Sequence, residues 1–257
     1  MACSNATSTP TSKESLSPGD GDSKTDSSSL PSDVSVEETI VPEVDGVKAN
    51  SVSNEVIIPA FTFVLDSLYD SMQINLPLEE IDCAHFSMGI SEVLMYCDTP
   101  DERMKSLSFC IKDVNEDGVD ELLILDATYP SPGNISILDM YTTVEGTPVK
   151  VLEGWARNSY YLLNDGMFYC SGSGGAAFSN LELLSYESNS YQLTSKELYF
   201  TYPKDDDMSD CAYYYSSEGI YDVAVATEIS SDQFVTFWNE CEGKIVSFDA
   251  KTFDLYK

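Results

Sequence analysis

From residue 107 onward the chain reads as short apolar runs cut by tight-turn sequences. No other feature limits its possible folds as much. The runs fall at 107–112, 121–127, 135–143, 149–155, 159–163, 167–171, 180–186, 191–202 and 211–215. Alternating, β-branched and aromatic-rich runs of this length form strands. Asn164-Asp165-Gly166, set between Tyr160-Tyr161-Leu162-Leu163 and Met167-Phe168-Tyr169, is a strong hairpin signal. Glu187-Ser188-Asn189-Ser190 is a second. Short strands joined by tight turns predict an antiparallel β-meander.

Helical spacing frames the meander. Phe61, Val64, Leu65, Leu68 and Met72 recur on one helical face. Pro77-Leu78-Glu79-Glu80 opens a second helix, with proline and acids in the first turn. Its stripe runs through Cys83, Phe86, Ile90, Val93, Leu94 and Cys97, and Asp98-Thr99-Pro100 ends it. A late helix starts at Ser230, with Gln233 completing a capping box, and carries Phe234, Phe237, Trp238 and Cys241. Gly243 stops it, and 244–248 reads as a last strand. The predicted fold class is therefore α+β: an antiparallel β-meander with two N-terminal helices and one late helix packed on it. Order is expected over residues 55–257.

Residues 1–54 differ in kind. They are rich in Ser, Thr, Asp and Pro, contain Pro18-Gly19-Asp20-Gly21-Asp22-Ser23, and hold almost no aromatic side chain. Such a segment cannot bury enough apolar surface to offset chain entropy, so it is predicted to be a disordered tether. The whole chain has 44 acidic against 13 basic residues, a formal net charge of −31. With no basic stripe to neutralise phosphates, nucleic acid and anionic lipid headgroups are excluded as partners, and cations are favoured. No apolar stretch approaches the roughly 18 residues of a membrane-spanning helix.

The most specific motif is Lys112 to Leu125, KDVNEDGVDELLIL. Counted from Asp113, oxygen-bearing side chains fall at positions 1 (Asp113), 3 (Asn115), 5 (Asp117) and 9 (Glu121), with Gly118 at position 6. Calcium takes six to eight hard oxygens, and alternate side chains in a tight turn can converge on one ion. The backbone carbonyl of Val119 at position 7 would add a ligand, and Asp120 is a substitute. An EF-hand needs a bidentate Glu at position 12, where this chain has Ile124, and a helix after the loop, where this chain has a β-run. The loop instead resembles the calcium loops between strands in FG-GAP and VCBS-type repeats. That resemblance implies a structural Ca2+ held by Asp113, Asn115, Asp117, Val119 and Glu121. Without the bidentate Glu, affinity is expected at the weak, extracellular end, roughly 10⁻⁴ to 10⁻³ M.

Met1-Ala2-Cys3-Ser4-Asn5 resembles the end of a bacterial lipobox, although the aliphatic residue and apolar stretch that precede the cysteine in that motif are missing from this sequence. The resemblance implies lipidation at Cys3. Lipobox-like cysteine, polar tether, helices, strand–DxNxDGxxEL–strand, LLNDGMFYCSGSGGAAFSNLELLSYE and ISSDQFVTFWNE succeed one another along the chain. This layout is similar to that of uncharacterised secreted lipoproteins of Gram-positive gut bacteria. It implies an extracellular domain tethered by lipid to the cell surface. That family has no established activity, so the resemblance implies location and architecture rather than a reaction.

The remaining candidates are weaker. Of seven cysteines, most are expected to be buried thiols. A helix spanning Cys83 and Cys97 would hold them about 21 Å apart, beyond disulfide reach. A Cys110–Cys170 disulfide stays open, and no spacing suggests zinc. His85, the single histidine, reads as a helix-flank residue. Ser171-Gly172-Ser173-Gly174-Gly175 lacks the Lys and the following helix of a phosphate loop, so it reads as a mobile or bulged connection that could rim a cleft. Asp205-Asp206-Asp207 with Asp210 reads as a solvated loop.

Tyrosine pairs and triplets on strands must expose some rings, which can stack on sugars or anchor proteins. Three functions are compatible with these features. The first is a non-enzymatic, calcium-binding surface module for a glycan or protein, with a shallow aromatic surface near the Gly-rich run. The second is a secreted hydrolase using paired carboxylates in a deep cleft. The third is an envelope inhibitor or immunity lipoprotein.

Overall fold

The computed structural model describes residues 59–81, 86–128, 135–175, 177–188, 190–208 and 210–257. The chain divides into two units, Met1–Ser53 and Asn54–Lys257. The expected tether, Cys3, Cys83 and His85 lie outside the described residues.

Helix α1 (Pro59–Met72) buries Phe61, Leu65, Leu68 and Met72, and Val64 of the predicted stripe is half-buried. The expected helix over 77–97 is not continuous. A 3-10 turn at Leu78–Glu80 is separate from α2 (Met88–Leu94), which starts afresh where the Ser87 hydroxyl accepts from Ile90 N. A further helix, α3 (Pro100–Ser106), comes directly after it. The Thr99 side chain accepts from Glu102 N while Glu102 accepts from Thr99 N, a complete capping box with proline in the first turn. Among the described residues, three helices thus precede the sheet. The stripe through Ile90, Leu94 and Cys97 is buried, but it bends out of one axis after Leu94.

The meander is as predicted, antiparallel throughout. Its strands are β1 (Leu107–Lys112), β2 (Glu121–Asp126), β3 (Ile137–Val144), β4 (Thr147–Glu153), β5 (Asn158–Leu162), β6 (Phe168–Gly175), β7 (Phe178–Tyr186), β8 (Leu193–Pro203), β9 (Cys211–Ser216), β10 (Thr227–Ile229) and β11 (Lys251–Thr252). The order across the sheet is β10-β9-β8-β7-β6-β5-β3-β2-β1-β11, with β4 branching off β3. Among the described residues, only the pair Ile137↔Tyr160 joins β3 to β5. The sheet turns a corner there.

The two halves of the sheet pack face to face. Their shared core takes Cys110, Leu123, Leu125 and Met140 from one half and Leu162, Phe168, Cys170 and Leu184 from the other. On the outer face of β1–β3, α1–α3 cover Leu107, Phe109, Leu122 and Ile124. On the outer face of β6–β10, α4 (Ser231–Glu242) sets Phe234, Phe237 and Cys241 against Tyr169 and Leu181. Its Ser230–Gln233 capping box is present as predicted. Strand alternation divides Tyr213-Tyr214-Tyr215 between faces: Tyr213 meets Phe234 outside, and Tyr214 meets Phe200 on the other side.

Two expectations change. The Gly-rich run is strand β6 with a bulge between Ser173 and Gly175, not a connection. A Cβ on Gly172 would run into the side chains of Asn158 and Asn180, so glycine lets these neighbours close over the strand. The expected strand at 244–248 makes a single bridge, Leu163↔Ile245. Val246, Phe248 and Ala250, each partly buried, instead pack against the core between the half-sheets, and a short strand forms only at β11, paired with β1. Cys110 and Cys170 are buried thiols and are not joined. Among the described residues no helix is long and apolar enough to cross a membrane.

Candidate functional site

The loop joining β1 to β2 contains the predicted ligand residues. Glu116 (φ 59°) and Gly118 (φ 87°) both adopt left-handed backbone, which brings alternate side chains inward. Asp113 accepts from Asp117 N (3.1 Å) and Gly118 N (2.8 Å). Asn115 Oδ1 accepts from Asp117 N (3.3 Å), and its Nδ2 donates to Asp117 Oδ2 (3.0 Å). Asp117 Oδ1 accepts from Val119 N (2.8 Å). These are local Asx-type turns, the usual way short polar side chains organise a loop.

Glu121 stands apart from the others. It begins β2 with no solvent exposure. One carboxylate oxygen accepts from Val114 N (3.1 Å) and the other from Thr142 Oγ1 (3.1 Å). Burial pushes its pKa up to about 7. The two hydrogen bonds oppose this, and the nearby charges of Asp117 and Asp113 add to it. Asp117 behaves oppositely: burial works against it, but hydrogen bonds from Ser188, Val119 N and Asn115 hold it below the usual carboxylate range.

Ser188 belongs to the β7–β8 turn of the other half-sheet. Gly166 of the β5–β6 turn also approaches Val114 O of the loop. The acidic loop therefore sits on the seam between the half-sheets.

The donor set suits a hard cation. Asp113, Asn115, Asp117, the Val119 carbonyl and Glu121 all carry oxygen donors within one short loop. The loop is not a ready-made cage: among the described residues no three His, Cys, Asp or Glu side chains are gathered as a metal cluster. The Asp113 and Asp117 carboxylates are engaged with backbone N–H groups, and an ion at this loop would have to compete with those bonds. Asp120 is exposed.

A second feature is not anticipated by the sequence. A cleft of about 460 Å³ opens at the sheet corner beneath α2, among Glu92, Tyr96, Cys97, Asp126, Ile137 and Trp155. Gly89 of α2 packs so closely on Gly154 that a Cβ there would run into the Gly154 carbonyl. Glu92 reaches across and accepts from Ala156 N (2.6 Å). Asp126 accepts from Thr128 N (2.9 Å) and Thr128 Oγ1 (2.5 Å). With its oxygen turned toward the indole, the Asn158 amide accepts from Trp155 Nε1 at 3.1 Å and donates to Arg157 O at 2.7 Å. Cys97 Sγ lies 3.1 Å from Ser106 Oγ.

In the sequence Trp155 is one aromatic among many. The cleft draws on five separate stretches of chain, and no spacing signals their meeting. Trp155 lies just before β5, close to the Gly-rich run, where Ser173 N donates to Arg157 O (2.9 Å). Asp205, Asp206 and Asp207 lie in an exposed turn, and Asp210 pairs with Lys204 at 3.0 Å.

No family model, curated protein or solved structure shows a significant match to this chain.

Proposed function

We propose that the protein is a calcium-stabilised binding module of a bacterial cell surface, tethered by lipid at Cys3, that holds a glycan or protein rather than transforming it. The observation that carries this reading is Glu121. An ionised carboxylate without solvent exposure, beside two more carboxylates at calcium-loop spacing, is costly, and a cation would offset that cost without the proton that otherwise neutralises it. Because Asp117 also meets Ser188 across the seam, an ion at this loop braces the two half-sheets and not only its own hairpin.

The test is thermal melting during calcium titration. A ligand that binds only the folded state must raise its stability. Millimolar calcium is expected to raise the melting temperature, EDTA to reverse the gain, and Asp117→Ala to abolish it. An unchanged melting temperature would defeat the reading. The hydrolase alternative draws support from Glu92 and Asp126 sharing one cleft. It requires that a polysaccharide or peptide polymer be cut, and that Asp126→Asn stop the cutting.

A further inference from the structure

We propose that the cleft beneath α2 binds an organic ammonium ion, a cationic amine on an apolar or aromatic body. This goes beyond the binding-module reading by naming a ligand chemistry, and it stands on the cleft rather than on the calcium loop. The two sites lie at opposite ends of the β1–β2 hairpin: the loop adjoins the Lys112↔Glu121 pair, whereas the cleft meets the hairpin at Leu107↔Asp126.

Size, shape and charge point the same way. A volume of about 460 Å³ suits a small molecule. Val93 and Leu138 give an apolar wall, Glu92 and Asp126 put two carboxylates at it, and no Lys or Arg is among the described residues that line it. The chain's charge of −31 raises the local concentration of cations and repels phosphates and carboxylates. The indole edge of Trp155 is anchored through Nε1, which leaves its ring face for contact, and a tryptophan face is the best aromatic partner for a cation. Tyr96, 84% exposed, stands at the rim as a second ring. A neutral sugar would also use the carboxylates as acceptors, but most of its hydroxyls would face apolar wall and lose water without replacement.

The experiment compares 2-phenylethylammonium with its neutral counterpart 2-phenylethanol, using calorimetry on the whole protein. In parallel, fluorescence is read from a Trp238→Phe variant, in which Trp155 is the remaining tryptophan. Saturable binding of the ammonium ion that quenches Trp155 is expected, with the alcohol about tenfold weaker or worse. High salt should narrow the difference. The double variant Glu92→Gln/Asp126→Asn should erase it while melting normally.

Equal binding of the two probes, no binding of the ammonium ion, or binding indifferent to the double variant would each overturn the proposal. So would a neutral disaccharide that binds more tightly and quenches Trp155. Repeating the titration in EDTA separates the two readings: ammonium binding that persists while calcium has no effect on melting sinks the calcium loop and leaves the cleft.

Discussion

Glu121 shows how much one side chain can set. Its pKa in the folded protein is about 7 against an ordinary 4.5, so between these values the folded state holds a proton that the unfolded chain has lost. The stability tied to this proton is complete below about pH 4.5 and is lost as pH rises through about 7. The loss amounts to about 3 kcal/mol. Calcium-free protein should therefore melt higher at mildly acidic pH than at slightly alkaline pH. Glu121→Gln should raise the alkaline melting temperature in EDTA and flatten its pH profile, while removing the gain from calcium. Gln retains an oxygen for Val114 N and can donate to Thr142, so packing is preserved. If the variant melts lower in EDTA at alkaline pH, burial of the carboxylate does not carry this cost. Asp139 and Glu182 are also shifted upward by burial, which leaves the Glu121→Gln variant a residual slope of the same sign.

At the scale of elements, α2 is the joint to test. It is seven residues long and rests on the end of β4 through the Gly89–Gly154 contact. Gly89→Ala places a methyl group against backbone that cannot swing aside, and is expected to cost about 2 kcal/mol or more. Because α2 roofs the cleft, the same variant should alter Trp155 emission; a normal melting temperature with unchanged emission would count against this packing.

The elements also show what can be read from sequence. Strands with strict alternation and clear turns, such as β5 and β6 around Asn164-Asp165-Gly166, are evident because burial and register obey the same period of two. The break after Leu94 is hidden because Cys97 stays buried once the helix ends, so the stripe outruns the helix. The α3 start is visible in Thr99-Pro100-Asp101-Glu102, but the same proline also reads as a stop. The full length of β6 is obscured because its glycines make room for Asn158 and Asn180, a demand set by neighbours that sequence distance conceals. The acidic loop is legible because its residues are adjacent. The cleft is not, because it forms only when the sheet turns its corner.

For the whole molecule, charge is the dominant fact. A net charge of −31 works against compaction through self-repulsion. Monovalent salt should raise the melting temperature of the EDTA-treated protein by screening, and calcium should add a saturable gain at far lower concentration. If the two salts act alike at equal ionic strength, no specific ion site is at work.

The path of the final segment has its own consequence. After α4, Val246, Phe248 and Ala250 pack against the core between the half-sheets, β11 pairs with β1, and Phe253 enters the core under α1, where Tyr256 bonds Asp66. Most of the meander forms between neighbours in sequence, which favours quick, stepwise growth. The helical layer over β1–β3 is different, since it is completed by residues some 190 positions away from α1. The helix-side core is thus closed only when the two ends of the described chain meet: without Phe253 and Tyr256, Phe109 and its neighbours would be an uncovered apolar surface, the stretch of this sheet most inclined to seek another molecule.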